Sequence, residues 1–459
     1  MKTTAVLASL LASASLNAAV IEQVIVRQQW PWSTDVKVEY KVTGVTSPVN
    51  IAVRAFNGDT ELDSSRLEAS ISGERYGITE DGVGTFVIDP VKAFGTSKVA
   101  LANFKVKLSL SPAAANVNEV IYKVFDLTTG ACTDITRADF YNGKVEDGDF
   151  VTDYTSLHSR FLAPSSEMVG DVLIWTGVTN NVKYKTTHLV MRKIPAANKV
   201  WRMGSPANEY GYWSKNETNH LVRLTQDYFI GVFELTQRQF VAITGKNPSS
   251  STQQSRANAD VLPASSIRVG GDTAENTALF AVAKLRVKTS LSGFAIPTEA
   301  QWEFACRAGA STGLYSGRQV GNGNGYSAVL DPDTDLLAWF SGNSSEPQSV
   351  GSKLPNAFGL YDMLGNVREW TLDMYSENAA YVASFGANWQ PGDVVENPTG
   401  PAQSSVTVSG STDVRTVRGG YYGANAAYTR CSSRVASSAR WGTAQGTDGM
   451  RMALMADAE

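Results

Sequence analysis

The sequence is poor in cysteine and histidine, the two residue types that most often bind transition metals or form redox centres. Its three cysteines are Cys132, Cys306 and Cys431, and its three histidines are His158, His188 and His220. Three cysteines exclude a disulfide-rich scaffold and a four-cysteine zinc site. Three histidines spread along the chain leave little room for a multi-histidine metal centre.

The chain also lacks a basic block and, beyond its N-terminus, any long apolar run. Its formal net charge is −4 and its isoelectric point is about 5.6, so nucleic acid is a poor candidate partner. No later stretch reaches the ~18 apolar residues that a membrane span requires. The 43% hydrophobic and 18% charged residues are typical of a globular protein. Because a single core rarely exceeds ~250–300 residues, the length of 459 residues predicts at least two domains.

Residues 1–19 have the pattern of a secretory signal peptide. Lys2 gives a positive start, residues 5–14 are apolar or small, and Ala18 and Ala19 are small residues at the cleavage position. A buried N-terminal helix is the alternative. The pattern predicts a protein that is secreted, periplasmic or held at the cell surface, in a compartment that permits disulfides.

Residues 20–112 have the alternation of apolar and polar side chains that strands show when one face of a sheet is buried. Residues 35–42 alternate strictly, residues 104–110 alternate again, and Asn57-Gly58 is a tight-turn signal. We therefore expect an all-β sandwich-like module that serves for adhesion or spacing. Residues 113–187 form an uncertain connecting region, with a strand expected at 120–127.

A second domain is expected over residues 188–457, beginning with a strand at 188–195. Thr236 has the position of a helix N-cap before residues 237–244, and Gly245 ends that helix. A further helix is expected over residues 273–287. The chain after Ser341 is expected to hold loops and short strands.

The firmest helix signal follows Pro297. Thr298 is a good N-cap, and Gln301 three residues later completes a capping box. Trp302, Ala305 and Cys306 then fall at helical spacing, so they are expected to share the inward face of that helix.

Six short motifs carry a resemblance to a known family. They are MGSP at 203–206, FIGVFELT at 229–236, IPTEAQWEFA at 296–305, NAFGLYDMLGNVREW at 356–370, VRGG at 417–420 and GMR at 449–451. Their order and spacing resemble the sulfatase-modifying factor family, also called the formylglycine-generating enzyme family, from roughly residue 194 to 455. The resemblance implies an irregular α+β domain of the C-type-lectin-like kind, stiffened by buried aromatics and bound calcium.

Enzymes of this family oxidise a substrate cysteine to formylglycine with two reactive cysteines and a copper ion. Aligned forward from Arg418, the two cysteine positions fall on Ala424 and Thr429; aligned backward from Arg434 with a short gap, they fall on alanines. Neither alignment gives a pair of thiolates, which Cu(I) binding needs. We therefore assign no catalytic residue and expect no copper. The residues expected at the family's cleft are Arg418, Tyr421, Tyr422, Ala424, Asn425 and Thr429, with Tyr428 and Trp441 as further aromatics near it.

The resemblance also gives Cys431 a role. Counted back from Arg434, it matches a structural cysteine that in some members bridges to the position of Cys306. A bridge would close a loop of about 125 residues and stabilise the fold by roughly 4–5 kcal/mol in the chain-entropy model. Two buried free thiols are the alternative. Cys132 is then expected to be a buried single thiol.

The turn at 364–369 resembles a calcium site of the family. Calcium prefers hard oxygen ligands, and the expected set is side-chain oxygens of Asn366 and Glu369 with carbonyls of Leu364 and Val367. The alternative is that Asn366 caps a turn and Glu369 pairs with a nearby arginine.

Three functions remain open from the sequence. The first is a secreted pseudoenzyme that binds an exported protein or a glycan without catalysis. The second is an oxidoreductase that converts a sulfatase cysteine to formylglycine. The third is a structural surface protein that spaces other modules.

Overall fold

A computed structural model describes the chain over residues 19–28, 35–46, 48–95, 101, 103–112, 119–141, 174–270, 275–321, 329–408, 410–438 and 446–455. The predicted signal peptide, apart from Ala19, lies outside these residues, as does Trp441. The chain divides into two compact units. The first comprises Met1–Ile121 and Ile135–Glu146, and the second comprises Tyr122–Asp134 and Asp147–Glu459.

Between Val20 and Pro112 the described residues form strands and two short helices. In chain order these are β1 Val20–Gln28, β2 Val36–Thr43, β3 Val49–Asn57, β4 Thr60–Glu61, α1 Ser64–Ala69, β5 Ile71–Gly73, β6 Gly82–Ile88, α2 Pro90–Phe94 and β7 Phe104–Pro112. They make two antiparallel sheets with the orders β1-β2-β6-β5 and β4-β3-β7. The predicted antiparallel β region is confirmed.

The alternation in β2 explains how this unit buries its core. Val36, Val38, Tyr40 and Val42 are buried, while the residues between them are partly or fully exposed. The buried residues pack with apolar residues of both sheets, such as Phe86. A period of two therefore places one face of each strand in a shared core.

Helix α2 was missed because the Asp-Pro pair before it resembles a strand end. In the structure Asp89 is the N-cap, and its carboxylate accepts hydrogen bonds from the amides of Val91 and Lys92. Pro90 takes the first helical position, where its missing N–H leaves no donor unsatisfied. Gly95 ends the helix at φ 67°.

The rest of the chain forms many short elements. In chain order they are β8 Val120–Asp126, β9 Cys132–Thr136, α3 Arg137–Tyr141, a 3₁₀ turn Thr176–Thr179, α4 Lys183–Thr186, β10 His188–Ile194, β11 Val200–Met203, β12 His220–Arg223, β13 Tyr228–Gly231, α5 Gln237–Thr244, α6 Ser251–Gln254, a 3₁₀ turn Ala259–Val261, α7 Ala278–Thr289, β14 Phe294–Ala295, α8 Glu299–Arg307, α9 Pro332–Asp335, β15 Arg368–Met374, α10 Asn378–Ala383, β16 Val394–Glu396, β17 Val414–Arg418, a 3₁₀ turn Ala426–Tyr428, β18 Arg434–Ser438, β19 Asp448–Gly449 and β20 Ala453–Met455.

Three sheets organise these elements. Their orders are β14-β20-β13-β10-β8-β9, β11-β12-β16 and β18-β17-β15-β19. In the last sheet, Glu369 of β15 pairs with Arg418 of β17, and Arg418 pairs with Arg434 of β18. The motif at 356–370 therefore ends in a strand that lies beside the Arg-Gly-Gly strand. The mixed α+β fold class is confirmed.

Two predicted helices form with their predicted caps, and two helix predictions need correction. Helices α5 and α8 both begin with complete capping boxes, at Thr236 and Thr298. The helix predicted at 273–287 begins at Ala278, because Thr277 is the N-cap that accepts from the amide of Phe280. Helix α10 lies where only loops and strands were expected.

Helix α8 sits at the centre of the C-terminal core. Trp302, Ala305 and Cys306 are fully buried, as their spacing predicted. Trp302 also donates from its Nε1 to the Glu369 carboxylate at 2.7 Å. The helix thereby connects the core to the strand that carries the 356–370 motif.

Candidate functional site

The segment that follows β17 needs two glycines in left-handed backbone conformations. Gly419 and Gly420 have φ values of 90° and 76°. A side chain at Gly420 would bring its Cβ within 2.9 Å of the Tyr428 carbonyl oxygen. The Gly-Gly pair therefore allows the chain to turn sharply out of β17 and lie against residues 426–429.

Ala424 and Thr429, the expected positions of the family's cysteine pair, are both buried. The Thr429 hydroxyl donates to the Asn425 carbonyl at 3.1 Å, and the amide of Ser341 donates to the Ala424 carbonyl at 2.9 Å. Asn425 is partly exposed, and its Oδ1 accepts from the Ser341 hydroxyl at 3.2 Å. Hydrogen bonds hold the loop in place, but Ala424 has a methyl group and Thr429 a hydroxyl where the family's thiols are expected.

Tyr421 and Tyr422 form the partly exposed aromatic part of this segment. Their rings meet edge to face with centroids 5.5 Å apart, and the Arg368 guanidinium lies 5.3 Å from the Tyr421 ring centroid. Burial raises the pKa of Tyr422 above its usual value. The Tyr422 amide donates to the Asn366 carbonyl at 2.9 Å, which fixes the segment beside the 364–369 turn.

Trp339 contacts the same turn, although no sequence pattern marked the loop that contains it. Its carbonyl accepts from the Asn366 amide at 2.9 Å. The Lys353 ammonium lies 4.0 Å from the Trp339 ring centroid, and Trp339 Nε1 donates to the Ser352 hydroxyl. The motif at 356–370 pointed to the turn, but no local signal pointed to a tryptophan 27 residues earlier than Asn366.

Arg418 was expected in the cleft, but its side chain is buried and forms hydrogen bonds with groups inside the protein. It donates to the carboxylate of Glu303 and to the carbonyls of Cys431 and Ser432. Burial alone would raise the pKa of Glu303, but Arg307 and Arg418 outweigh burial and hold this pKa below its usual value. Arg418 therefore acts as a structural residue.

Three more buried arginines make similar ion pairs. Arg430 bonds Glu209 at 2.6 Å and Glu217 at 2.9 Å, Arg434 bonds Glu299 at 2.7 Å, and Arg451 bonds Glu369 at 2.7 Å. None of these side chains is more than 3% exposed. The carboxylates come from earlier parts of the chain, so sequence spacing alone did not reveal them.

Cys306 and Cys431 lie together in the core. Both are free thiols here, with sulfur atoms 3.4 Å apart. Burial, with Cys431 adding to it, raises the pKa of Cys306 well above its usual value, so this thiol is a poor nucleophile at neutral pH. The predicted bridge between the two stays a prediction. Cys132, expected to be buried, is exposed instead, because it begins strand β9 with its side chain near Asp134.

The predicted calcium turn fits a cation only in part. The Asn366 side chain is already used: its Nδ2 donates to Glu234 at 2.6 Å and its Oδ1 accepts from the Gln348 amide at 2.9 Å. Glu369 accepts from Arg451 with both of its oxygens. These contacts match the alternative in which Asn366 holds a turn and Glu369 pairs with an arginine.

A neighbouring acidic group fits a cation better. Asp362 Oδ1 is buried without a hydrogen-bond partner among the described residues. Burial raises the pKa of Asp362 to about 6, and burial with Asp362 and Glu369 nearby raises the pKa of Glu234 well above its usual value. Three carboxyl groups thus lie near Arg451. Over the described residues, however, no three His, Cys, Asp or Glu side chains converge closely enough to hold a metal by themselves, so backbone oxygens would have to complete a site.

The motif strand, the Gly-Gly turn and the buried arginine pairs together define a mixed α+β domain of the formylglycine-generating type. Residues 200–456 match the sulfatase-modifying factor enzyme 1-like domain. The match covers more than half of the chain, and the chain belongs to this family. The family resemblance predicted from the six motifs is confirmed.

Several known proteins are similar over parts of this chain. The chaperone protein LppX of Paenibacillus barcinonensis is 25% identical over 228 residues, which are 39% of this chain and 78% of that protein. The formylglycine-generating enzyme of Mus musculus is 28% identical over 31% of this chain, and the alignment spans 35% of the mouse protein. The enzyme of Mycobacterium tuberculosis is 36% identical over 85 residues, which are 17% of this chain and 27% of that protein.

Two solved structures also align with the chain. Treponema denticola variable protein 1 aligns with 22% identity and a TM-score of 0.44, covering 59% of this chain and 96% of that one. PvdO from Pseudomonas aeruginosa aligns with 22% identity and a TM-score of 0.42, covering 58% and 94%. No helix in the described part of the chain is long and apolar enough to cross a membrane.

Proposed function

We propose that the C-terminal domain is a non-catalytic binding module, exported from the cell, that recognises a peptide segment of another exported protein or a glycan. The observation that carries this proposal is the pair Ala424 and Thr429. In the alignment forward from Arg418, they occupy the positions of the family's two reactive cysteines. The loop that contains them is ordered by hydrogen bonds to Asn425 and Ser341.

The chemistry of the family requires thiolates. Cu(I) prefers soft sulfur ligands, and a thiolate is the nucleophilic form of cysteine. The segment from Tyr421 to Arg434 contains one cysteine, Cys431, which is fully buried against Cys306. A buried thiol with a buried neighbour offers neither an exposed nucleophile nor an open metal site.

The exposed part of the segment offers recognition chemistry instead. Tyr421 and Tyr422 present partly exposed rings, and Asn425 adds an amide beside them. Aromatic faces bind apolar surfaces of peptides and sugars, and a nearby amide can bond to hydroxyl or peptide groups. One relative is named a chaperone protein, a role that consists of binding other proteins, and this supports a binding function.

The oxidative alternative is tested directly. Purified protein is incubated with copper, a reductant, oxygen and a Cys-x-Pro-x-Arg peptide, and the peptide mass is followed. We expect no conversion, whereas the mouse formylglycine-generating enzyme converts the peptide under the same conditions. Turnover that is lost in Cys431→Ser and kept in Cys132→Ser would show that one cysteine suffices and that the proposal is wrong.

The binding function is tested with a glycan array and with immobilised peptides tiled from exported proteins. We expect specific retention of one ligand class. The dissociation constant of the Tyr421→Ala, Tyr422→Ala double variant should be at least tenfold higher than that of the parent. Trp213→Ala is the matched control, because Trp213 is an aromatic residue of the same domain that is 44% exposed. Equal losses in both variants, or no ligand in either library, would leave the third function, a spacer, as the better description.

We also propose a structural calcium ion at the 364–369 turn. The support is the unpartnered Asp362 Oδ1 and the excess of carboxyl groups over arginine around it. Asp362 would supply a side-chain oxygen there, the backbone carbonyls of Leu364 and Val367 would add to the set, and Glu369 would stay paired with Arg451. Calcium bound at this place would neutralise charge that Arg451 alone does not balance.

A further inference from the structure

His220 occupies a buried position at the start of β12 with one ring nitrogen unsatisfied. Its Nδ1 lies 2.8 Å from the Thr218 carbonyl oxygen. A carbonyl can only accept, so Nδ1 carries the hydrogen of the neutral ring. The other nitrogen, Nε2, is then a bare acceptor, and it is buried without a partner among the described residues. The site accommodates the neutral ring, because a proton on Nε2 would be a buried donor without an acceptor among the described residues.

An aromatic cluster from residues 378–397, here called the aromatic flap, covers this ring. Phe385 stacks on His220 with ring centroids 3.8 Å apart and planes 22° apart. Tyr381 meets the edge of the histidine ring, and Trp389 packs against Phe385. These residues and Val395 form a small hydrophobic cluster of their own. His220 therefore lies under the flap as part of its anchor.

The other attachments of the aromatic flap near β12 are short or exposed. Strand β16 pairs in parallel with β12 over three residue pairs. The ion pair between Arg223 and Glu396 is largely exposed, and exposed ion pairs contribute little. Asn397 bonds to Thr225 at the end of the strand. The stacked aromatic rings are thus the main apolar contact that holds the flap on β12.

A small cavity lies between the flap and the core. It has a volume of about 10 Å³, close to the room one water molecule needs. His220, Glu299, Asp373 and Tyr381 line it. The Tyr381 hydroxyl is also buried without a partner. Among the described residues, His220 and Tyr381 thus line the cavity, and each carries one buried polar atom without a hydrogen-bond partner.

Glu299 and Glu303 favour a proton on His220 and Arg434 opposes it, but burial outweighs the two carboxylates, which are each bonded to an arginine. On α8, Glu299 is bonded by Arg434 at 2.7 Å, and Glu303 is bonded by Arg307 at 2.8 Å. On β15, Asp373 accepts from the Glu299 amide at 2.7 Å. On β18, the Arg434 guanidinium lies 3.9 Å from the Tyr381 ring centroid and adds positive charge. A proton on Nε2 would therefore add a second cation beside Arg434 while the carboxylates are engaged elsewhere.

We infer that the aromatic flap is an acid-released cover, held on β12 by neutral His220 and loosened when His220 takes up a proton. The direction follows from burial, which lowers the pKa of His220 below its usual value. A base with a lowered pKa in the folded state favours the folded state above the unfolded pKa of about 6.5, and that preference is lost as the pH falls. In an acidic medium outside the cell, the flap would then loosen and expose the residues beneath it.

Asp373 responds to acid in the opposite sense. Burial, with Glu299 adding to it, raises the pKa of Asp373 to about 7. Its protonation near neutral pH relieves a buried charge and favours the folded state. The effect of His220 must therefore be measured against variants that separate the two groups.

The test is amide hydrogen exchange on the full chain at pH 7.5 and pH 5.0, after correction for the intrinsic exchange rates. We expect amides of 378–397 to exchange at least tenfold faster at pH 5.0, while amides of α8 keep their protection. His220→Phe keeps a ring in the stack and removes the titration of His220, so its flap should exchange no faster at pH 5.0 than at pH 7.5. His188→Gln is the control, because it removes an imidazole elsewhere and should behave as the parent.

Two further variants keep the inference open to refutation. His220→Gln is uncharged and retains an N–H donor for Thr218, so it serves if the phenylalanine variant does not fold. Asp373→Asn should retain the acid response of the flap. Equal protection of residues 378–397 at both pH values in the parent, or the same acid response in both His220 variants, would overturn the inference.

Discussion

The C-terminal unit contains fully buried ion pairs, whereas the pairs described in the N-terminal unit are at least partly exposed. In the N-terminal unit, Arg54 pairs with Glu61 while their side chains are 59% and 43% exposed. In the C-terminal unit, the side chains of Arg418 and Glu303 are both 0% exposed. The interior of the first unit is built from alternating apolar strands, whereas that of the second includes charge.

The difference follows from how each unit satisfies its backbone. Regular sheets pair their own amides and carbonyls. Irregular loops cannot, and buried carbonyls need donors. In the C-terminal unit the arginines supply them: Arg418 donates to three loop carbonyls, Arg430 donates to Ala427, and Arg451 donates to Gly231 and Tyr361. Arginine has five donors in a fixed geometry and suits this role. The C-terminal unit thus buries charged arginines because its irregular loops need hydrogen-bond donors.

The largest expected effect concerns the cysteines, which would cross-link only the irregular unit. In natively exported protein we expect non-reducing peptide mapping to recover a fragment that joins Cys306 to Cys431. Loss of a bridge that closes a 125-residue loop should lower the free energy of unfolding by about 5 kcal/mol. Cys431→Ser measures this loss, and Cys132→Ser is the control. Free alkylation of both cysteines in exported protein would refute the bridge.

The next effect separates buried from exposed ion pairs. Glu303→Gln removes the counter-charge of buried Arg307 and one of the two carboxylates beside buried Arg418, and we expect a loss of about 4 kcal/mol in unfolding free energy. The matched change Glu61→Gln removes one partner of an exposed pair and should leave the denaturation midpoint unchanged within error. Chemical denaturation of both variants measures the difference. Similar midpoints for the two would mean that buried charge does not distinguish the units.

An apolar substitution tests the other side of the comparison. Ile88 is fully buried in the core of the N-terminal unit. Ile88→Ala should cost about 3 kcal/mol through lost burial and the remaining cavity. We expect hydrogen exchange to accelerate in β2 and β6 while α8 is unaffected. Acceleration of equal size in both units would show that they unfold as one.

The smallest expected effect is removal of calcium. A ligand that binds only the folded state stabilises it by about 2.7 kcal/mol when its free concentration is 100 times the dissociation constant. Chelation should therefore lower the melting temperature of the C-terminal unit, and added calcium should restore it. Asp362→Asn should melt at the same temperature with and without chelator. An unchanged parent melting curve and no calcium by elemental analysis would contradict the proposed site.

Local patterns predicted the regular parts of both units. Strict alternation predicted β2 and β7, and two capping boxes fixed the starts of α5 and α8, because such signals lie within a few residues. The Asp89-Pro90 pair shows the limit: the same two residues fit the end of a strand and the start of a helix. Only packing of the following turn decides between them.

The sequence predicted where in the chain the candidate site lies, but it did not predict most of the contacts within the site. The motifs located the 364–369 turn and the segment after Gly420. They did not reveal that Asn366 would bond Glu234, because 132 residues separate the two. Nor did they show that Arg418 points inward, since a motif records which residue is present and not which way its side chain turns.

The long separations in the arginine network bear on the order in which the chain can fold. The four arginines and their carboxylate partners are Arg418, Arg430, Arg434 and Arg451 with Glu209, Glu217, Glu299, Glu303 and Glu369. Every arginine follows its carboxylate partners in the sequence, and the bonded pair Glu209 and Arg430 is separated by 221 residues.

Contacts between distant residues slow folding, and chains fold from the N-terminus during synthesis. The N-terminal unit pairs strands such as β3 and β7, which lie within one short region. We expect it to fold while the rest of the chain is still being made. The C-terminal unit has to hold its carboxylates in water until β17 and β18 arrive, and then bury them in one late step.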